Sequence, residues 1–563
     1  MSDQFSVALA QINPVVGDLA GNRELIRRAR AKAAAGNADL LVLSELVLPG
    51  YPPEDLVLKP AFQDRAEAMV RELAKDTADG GPAILLGSIW REDGKLYNAS
   101  ILLAEGAIAA VRHKYDLPNY GVFDEKRIFA NGALPEPMVL PLKQGGLVRL
   151  GVMVCEDLWS ETAAEHLAEH GADMFIVLNG SPFEDRKVHA RFNHAEARVR
   201  ENGIPLVYVN QVGGQDELVF DGASFVLDRK GTPVFLAPSW REDVTVTRWQ
   251  YGAHKGWVPR KASIAAIPED LEAIYQAMVL GLRDYVAKNG FPGVLLGMSG
   301  GIDSAVSAAV AVDALGPDKV HGVMMPSRFT STASVRDAAE MARVMGFVYD
   351  TIPIEPAVGA FDAMLRDVFS NTTPDTTEEN IQARIRGIIL MALSNKFDHM
   401  LLTTGNKSEV SVGYATLYGD MAGGFSVLKD IYKTDVYALA RWRNENRPEG
   451  MLGPEGTIIP DHVITRPPSA ELRADQTDQD SLPDYAVLDD ILACLIEEDM
   501  SATEIVERGH APGIVERIEN LLYLAEYKRR QAPPGVKVTS RTFGRDRRYP
   551  ITNRFRTSRE TFD

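Results

Sequence analysis

Apolar positions along the chain fall into two rhythms. Continuous or period-two apolar runs at residues 5–10, 39–45, 83–89, 147–155, 174–178, 206–209 and 223–227 predict strands, and residues 98–113 predict a hairpin. Between them, residues 21–35, 61–75 and 162–170 carry apolar side chains at helical spacing, as with Leu25, Ile26 and Ala29. Gly171 stops the last of these helices. Strands interspersed with helices over residues 1–265 predict an α/β layered sandwich. Residues 240–265 place Trp240, Trp249, Trp257 and Pro259 among charges and read as an irregular connection. From Leu271 the order becomes helix, strand at 294–296, glycine loop, helix from Ala305, strand at 320–325 and helix from Val335. That is the rhythm of a doubly wound parallel sheet. Residues 488–530 are helical with short breaks. Two α/β domains are expected, 1–265 and 266–563.

Composition narrows the class. A chain of 563 residues is too long for one ordinary domain and needs no staple to hold a core. The net charge of −18 argues against a nucleic-acid coat or an anionic membrane surface. Two cysteines, Cys155 and Cys494, exclude a disulfide framework and a four-cysteine zinc site. The start has no basic n-region and no apolar run reaches spanning length, so the expectation is a soluble cytoplasmic protein without a membrane segment.

The sharpest motif is Gly297-Met298-Ser299-Gly300-Gly301-Ile302-Asp303-Ser304, between a predicted strand and a predicted helix. Small residues there let backbone N–H groups approach a phosphate, and the helix start adds a partial positive charge. No G-x-G occurs and the Gly94-Lys95 pair runs into Leu96, so neither a dinucleotide fingerprint nor a Walker A loop is present. The Ser299–Ser304 string resembles the pyrophosphate loop of the ATP pyrophosphatase superfamily, with its adenine nucleotide α-hydrolase-like fold. Downstream, Glu379–Arg386, Thr403–Glu409, Tyr418-Gly419-Asp420, Pro468–Leu472 and Lys528-Arg529-Arg530 are similar to the NAD synthetase family. That resemblance implies Mg²⁺ on Asp303 and Glu409, ATP on the loop with Thr404, Lys433 and Ser469, and deamido-NAD on Asn380, Arg384, Glu409 and Lys528. It also implies at least a homodimer through this domain. Ammonia-only relatives carry a lysine where this chain has Leu417, so some dinucleotide contacts are expected to differ.

In the first half, Glu45 and Cys155 each end an apolar strand, and Lys114 follows another apolar run. Together Leu43-Ser44-Glu45-Leu46, His113–Pro118 and Val154-Cys155-Glu156-Asp157 resemble the Glu-Lys-Cys triad of the nitrilase superfamily, which implies an α-β-β-α sandwich. The triad implies a thiolate attacking an amide, Glu45 moving the proton, and Lys114 favouring the thiolate and steadying the oxyanion. Pro118–Glu125 is similar to the glutaminase domain of glutamine-dependent NAD synthetases, which implies glutamine binding by Tyr120, Ser181 and Lys187.

The resemblance thus implies ATP-dependent amidation of deamido-NAD through an adenylate, with ammonia passed inside the protein from the Cys155 site and glutamate, AMP and pyrophosphate released. The alternatives are another pyrophosphate-loop amidotransferase or a catalytically silent nucleotide sensor. A glutaminase of the GMP-synthetase kind needs its cysteine between glycines, one of the asparagine-synthetase kind needs an N-terminal cysteine where this chain has Ser2, and a tRNA-thiolating enzyme commonly pairs its cysteines. His166-Leu167-Ala168-Glu169-His170 matches an inverted zinc-protease string, but the helix is short and no third ligand is evident in the sequence. No zinc, haem or flavin is expected. Ten basic residues between Lys528 and Arg556 are expected to dock on the acidic body rather than on nucleic acid.

Overall fold

The computed structural model describes residues 4–143, 145–185, 187–252, 256–474 and 476–558; the Ser2 position falls outside them. The chain forms two compact units, Met1–Glu269 and Asp270–Asp563.

In the first unit the strands are β1 (Gln4–Gln11), β2 (Leu40–Val42), β3 (Ala83–Glu92), β4 (Lys95–Ala104), β5 (Ala107–His113), β6 (Met138–Pro141), β7 (Leu147–Val154), β8 (Met174–Asn179), β9 (Leu206–Asn210), β10 (Val212–Gln215), β11 (Leu218–Asp221), β12 (Phe225–Leu227), β13 (Pro233–Leu236), β14 (Asp243–Gly252) and β15 (Gly256–Pro259). The helices are α1 (Leu19–Ala35), α2 (Pro60–Asp76), α3 (Thr162–Glu169) and α4 (Lys187–Asn202). One sheet runs β15-β14-β1-β2-β3-β4-β5 and a second runs β13-β12-β9-β8-β7-β6. Strand alternation sorts the side chains. Phe5, Val7 and Leu9 join Leu150, Val152, Ile176 and Val207 between the sheets. Ala8 and Ala10 face Ile26, Ala33, Val70 and Leu73 of α1 and α2. On the far side, Met153, Phe175 and Val177 meet Ala163, Leu167, Ala195 and Val199 of α3 and α4. The result is an α-β-β-α sandwich.

Residues 240–265 correct the sequence reading. They are not a loose connection: β14 pairs antiparallel along the whole of β1, and β15 extends the sheet edge. Trp249 and Trp257 are buried between the sheets. The interleaved charges concealed a period-two strand whose Val244 and Val246 pack toward the helices.

In the second unit the strands are β16 (Val294–Gly297), β17 (Val320–Met324), β18 (Val348–Thr351), β19 (Met400–Thr403) and β20 (Phe425–Ser426). Its first helices are α5 (Asp270–Asn289), α6 (Ile302–Leu315), α7 (Thr332–Met345), α8 (Glu355–Leu365), α9 (Thr376–Phe397), α10 (Lys407–Val412) and α11 (Lys433–Glu445). The sheet is wholly parallel, ordered β18-β17-β16-β19-β20. The chain winds outward from β16 and returns at β19, so a crevice opens at the carboxyl ends of these two neighbours. On one face, Val358 and Ile385 of α8 and α9 pack on Leu295, Val323 and Leu401. Among the described residues no helix is long and apolar enough to cross a membrane.

Candidate active sites

In the first unit the three sequence-predicted groups converge at the strand ends. β2 stops at Val42, and Glu45 is reached through a turn that packs on Gly87, where any Cβ would come within 2.3 Å of the Leu46 nitrogen. Lys114 follows β5 directly. Its Nζ lies 2.7 Å from Glu45 Oε1 and 3.0 Å from Glu125 Oε1, and it has no solvent exposure. Asn98 donates to the same Glu45 oxygen at 2.7 Å, and Tyr51 OH donates to Glu125 Oε1 at 3.2 Å. Among the described residues the second oxygen of Glu45 has no hydrogen-bond partner, and it faces Gly180, where a Cβ would sit 3.0 Å away. Glu45 therefore keeps one oxygen engaged and the other open.

β7 ends at Val154, one residue earlier than its apolar run suggests, and Cys155 takes a left-handed φ of +48°. A non-glycine residue held there is strained, as at other reactive turns. Asp157 holds this turn against the segment after Lys114. Its Oδ2 accepts the Val154 N–H at 2.9 Å, and its Oδ1 accepts those of Tyr115 and Asp116 at 3.0 and 2.8 Å. One carboxylate thus fixes the Cys155 turn and the segment after Lys114 relative to each other.

The electrostatics follow from burial. Desolvation alone would push the Lys114 ammonium down, but Glu125 and Glu45 more than offset it and hold it well above its ordinary range. Desolvation, then the neighbouring Glu45 charge, drives the Glu125 carboxyl up to about 7. Burial and Glu45 push the Cys155 thiol well above its ordinary value, and the opposing pull of Lys114 does not prevail. Lys114 favours the thiolate, as expected, but burial and Glu45 outweigh it, so the resting sulfur is a thiol and attack would require a proton transfer to a nearby base.

Of the predicted glutamine contacts, Tyr120 is largely exposed and its hydroxyl meets both oxygens of Glu156 at 3.0 Å. Ser181 is buried with an unpartnered hydroxyl. Lys187 opens α4 with its ammonium 5.4 Å from the Phe123 ring centroid. The sequence reading missed Glu125, Asn98 and Asp157 as members of this centre.

In the second unit a cavity of about 330 Å³ opens at the β16/β19 crevice. Gly297, Met298, Ser299, Gly300, Gly301, Ile302, Asp303, Thr404, Glu409, Lys433 and Ser469 line it. Gly300 has φ +81° and its Cβ would lie 2.3 Å from the Ser334 carbonyl oxygen, so the loop requires glycine there. Ser304 does not line the cavity. Its hydroxyl lies 3.3 Å from the Ser299 nitrogen and 3.0 Å from the Gly301 oxygen, and so shapes the loop from behind. Lys433 Nζ lies 2.5 Å from Asp303 Oδ2 and 3.4 Å from Glu409 Oε1. Asn406 donates to Asp303 Oδ1 at 2.8 Å and caps α10 reciprocally with Glu409. That Asn-x-x-Glu spacing is a capping-box signature legible in the sequence. Burial, then the charge of Asp303, drives the Glu409 carboxyl up to about 8. Two carboxylates beside a phosphate-type loop form a hard oxygen donor set that fits Mg²⁺.

The predicted dinucleotide contacts split. Glu409 lines the cavity, whereas Asn380, Arg384 and Lys528 hydrogen-bond to the loop at 413–417, which contributes Tyr414 and Ala415 to the lining. Thr416 Oγ1 donates to Asn380 Oδ1 at 2.9 Å, Arg384 Nε to the Leu417 carbonyl at 3.2 Å, and Lys528 Nζ to the carbonyls of Gly413 and Ala415 at 2.7 Å. Leu417 is met through its backbone in this contact. The basic C-terminal stretch docks inside its own unit: Arg529 and Arg547 on Glu526 at 2.8 and 3.3 Å, Lys537 on Asp546 at 3.0 Å, and Arg541 on Asp499.

Fold and centres define a class of protein, an amidotransferase in which a thiol-dependent carbon–nitrogen hydrolase and an ATP-using synthetase share one chain. Residues 6–255 match the carbon-nitrogen hydrolase family and residues 274–532 the NAD synthase family. The chain is 50% identical over 556 residues to the glutamine-dependent NAD(+) synthetase of Rhodobacter capsulatus, covering 99% of this chain and 100% of that protein. It is 41% identical to that of Thermotoga maritima, over 98% and 99% of the two chains. Among solved structures it is similar to the glutamine-dependent NAD+ synthetase from Acinetobacter baumannii in complex with ADP, with a TM-score of 0.77, 42% identity and coverage of 98% and 99%. The chain belongs to the family of glutamine-dependent NAD(+) synthetases.

Proposed function

We propose that Glu45, Lys114 and Cys155 carry out the glutaminase half of the reaction and that Asp303, Glu409 and Lys433 serve the synthetase half. The observation that carries this is the repeated arrangement of one buried lysine between two carboxylates, once beside a strained cysteine and once beside a phosphate-type loop.

In the first centre the unpartnered oxygen of Glu45 takes the Sγ proton as sulfur attacks the carboxamide carbon of glutamine. Lys114 supports the negative oxygen that forms. Glu45 returns the proton to the leaving nitrogen, ammonia departs, and a water activated by Glu45 hydrolyses the thioester to glutamate. Glutamine is an α-amino acid with both charges, and the rim offers both: Glu156, held by Tyr120, for its ammonium and Lys187 for its carboxylate, with the Ser181 hydroxyl as a further donor.

In the second centre ATP lies on Ser299–Ile302 with Thr404 and Ser469. Asp303 and Glu409 would hold Mg²⁺, which supplies charge neutralisation at the phosphates when bound. The nicotinate carboxylate of deamido-NAD attacks the α-phosphorus, pyrophosphate leaves, and Lys433 shares the charge of the phosphoryl group. Ammonia then displaces AMP to give NAD. Asn380, Arg384 and Lys528 shape the 413–417 wall of the dinucleotide site. A second copy of the chain is the fitting partner for the exposed apolar side chains Met364 of α8 and Ile388, Met391 and Phe397 of α9, the helix that also carries Asn380 and Arg384. The cytoplasm, where ATP and glutamine are plentiful, is the matching compartment.

The test is an assay with deamido-NAD, ATP and Mg²⁺, comparing glutamine with ammonium in wild type and Cys155→Ala. Glutamine-driven NAD formation falls by a factor on the order of 10⁴–10⁶, the scale of nucleophile deletions, while ammonium-driven formation persists. Equal loss with both donors refutes the division of roles.

A further inference from the structure

The sequence offers His166 and His170 no third ligand, but the fold supplies one. Glu136, on the segment entering β6, brings Oε1 to 3.3 Å from His166 Nε2 and 3.8 Å from His170 Nε2. The three ligand atoms all lie within 4.8 Å of one another. We propose that Glu136, His166 and His170 form a surface site for a borderline divalent transition ion, with zinc as its representative and water completing the shell.

Three features support the assignment. First, ligand atoms at about 2.0–2.2 Å from a tetrahedral zinc stand roughly 3.3–3.5 Å from one another, so the observed separations need only a small closure. Second, the tautomer of one ligand is set. His170 Nδ1 lies 2.7 Å from the His166 carbonyl oxygen, so it carries the hydrogen and leaves the Nε2 lone pair toward Glu136. A ligating histidine characteristically gives its other N–H to such a backbone acceptor. Third, the scaffold is held. His166 lies in the last turn of α3 and His170 caps its C-terminus four residues on, and the backbone bearing Glu136 is pinned by Arg112, whose Nε donates to the Glu136 carbonyl at 2.7 Å.

Two imidazoles and one carboxylate suit zinc, copper or nickel rather than Mg²⁺. The other comparable group among the described residues, Asp337, Glu340 and His462, differs in kind. There the buried Asp337 carboxylate already has both oxygens engaged, one by Arg466 and the other by His462. At the Glu136 site the ion would tie α3, which follows the cysteine turn, to the entry of β6. Its expected consequence is a staple on the first unit rather than a step in catalysis.

Equilibrium dialysis of the full-length protein against Zn²⁺ alone, with bound metal counted by mass spectrometry, tests this. One zinc per chain is expected, still present in Cys155→Ala and in Asp337→Asn, and weakened at least roughly 10–100-fold by His166→Ala or His170→Ala. Co²⁺ alone should give a tetrahedral absorption band that Glu136→Gln diminishes. The three side chains are at the surface, so their variants keep the fold, and far-ultraviolet dichroism verifies that. No uptake, uptake indifferent to both histidine variants, or uptake lost in Cys155→Ala overturns the proposal.

Discussion

The two centres use one device for opposite ends. In the first unit Lys114 stands 2.7 and 3.0 Å from Glu45 and Glu125, sealed from water; in the second, Lys433 stands 2.5 and 3.4 Å from Asp303 and Glu409 on the wall of an open cavity. In the sealed centre the ion pairs are shielded from water and already in place, which suits the proposed transfer of one proton over a short distance. In the open centre the same triplet holds a place. Asp303 and Glu409 pair with Lys433 beside open space, where the proposed phosphates and cation would offer all three new partners. A lysine between two acids is therefore not a signature of one chemistry; the space beside it decides.

The comparison breaks most visibly at Asp303. Asp303→Ala removes a carboxylate from the open centre, and NAD formation should fall by about 10²–10³ with glutamine and ammonium alike, the scale of one lost electrostatic stabiliser. Pyrophosphate release measured with each donor checks this. A deficit confined to glutamine would mean that the triplet in the second unit does not serve adenylation.

Glu125→Gln sharpens it from the other side. This change leaves the ammonium-driven reaction intact and lowers glutamine hydrolysis by about 10², the lower range for a group that assists proton transfer. The pH profile is the more telling reading. Burial pushes the Glu125 carboxyl up to about 7, so above that pH it adds a negative charge beside the acceptor of the Cys155 proton and favours that transfer. Wild-type hydrolysis should rise through pH 7 and the variant should lose that rise. An unchanged profile would reduce Glu125 to a structural counter-ion.

The contrast also shows what a sequence exposes. Glu45, Lys114 and Cys155 each close an apolar run, where sheet sites form, but each alone reads equally well as a surface or core residue; they were named together from resemblance to the nitrilase triad. The Ser299–Ser304 loop was named from its resemblance to a pyrophosphate loop, since its glycines alone would suit any strand-to-helix turn; Gly300 is forced by the approach of the Ser334 backbone. Glu125 and Asp157 were not legible, since a buried carboxylate in an irregular segment looks the same in sequence as a solvated one. Asn380, Arg384 and Lys528 were named from resemblance, and within one chain they hydrogen-bond to the loop at 413–417. The strands at 243–259 were hidden by charges on the polar phase of a period-two pattern.

The smallest expected effect tests why the sealed centre needs no ligand to assemble. Asp157 takes three backbone N–H groups onto two oxygens, joining the Cys155 turn to the residues after Lys114. In Asp157→Asn only one acceptor oxygen remains, and the amide's own N–H groups face a backbone donor. One buried N–H goes unpaired, at about 1–3 kcal/mol. Glutamine turnover should fall roughly tenfold, the kinetic equivalent of about 1.4 kcal/mol at the transition state, with the ammonium-driven reaction untouched. Stability carries a second signature. Burial raises the Asp157 carboxyl to about 7, against an ordinary value of 3.8, despite the lowering effect of the Asp116 and Val154 N–H groups. Between those values the folded state holds a proton that the unfolded state has lost, so wild-type stability declines as pH rises through that window. The asparagine variant lacks this decline. Urea unfolding should therefore show the wild-type advantage largest near pH 4 and smaller at pH 8. An advantage that grows with pH would mean that the three N–H donors outweigh burial, and that the link between nucleophile and lysine is a stabilised carboxylate rather than a strained one.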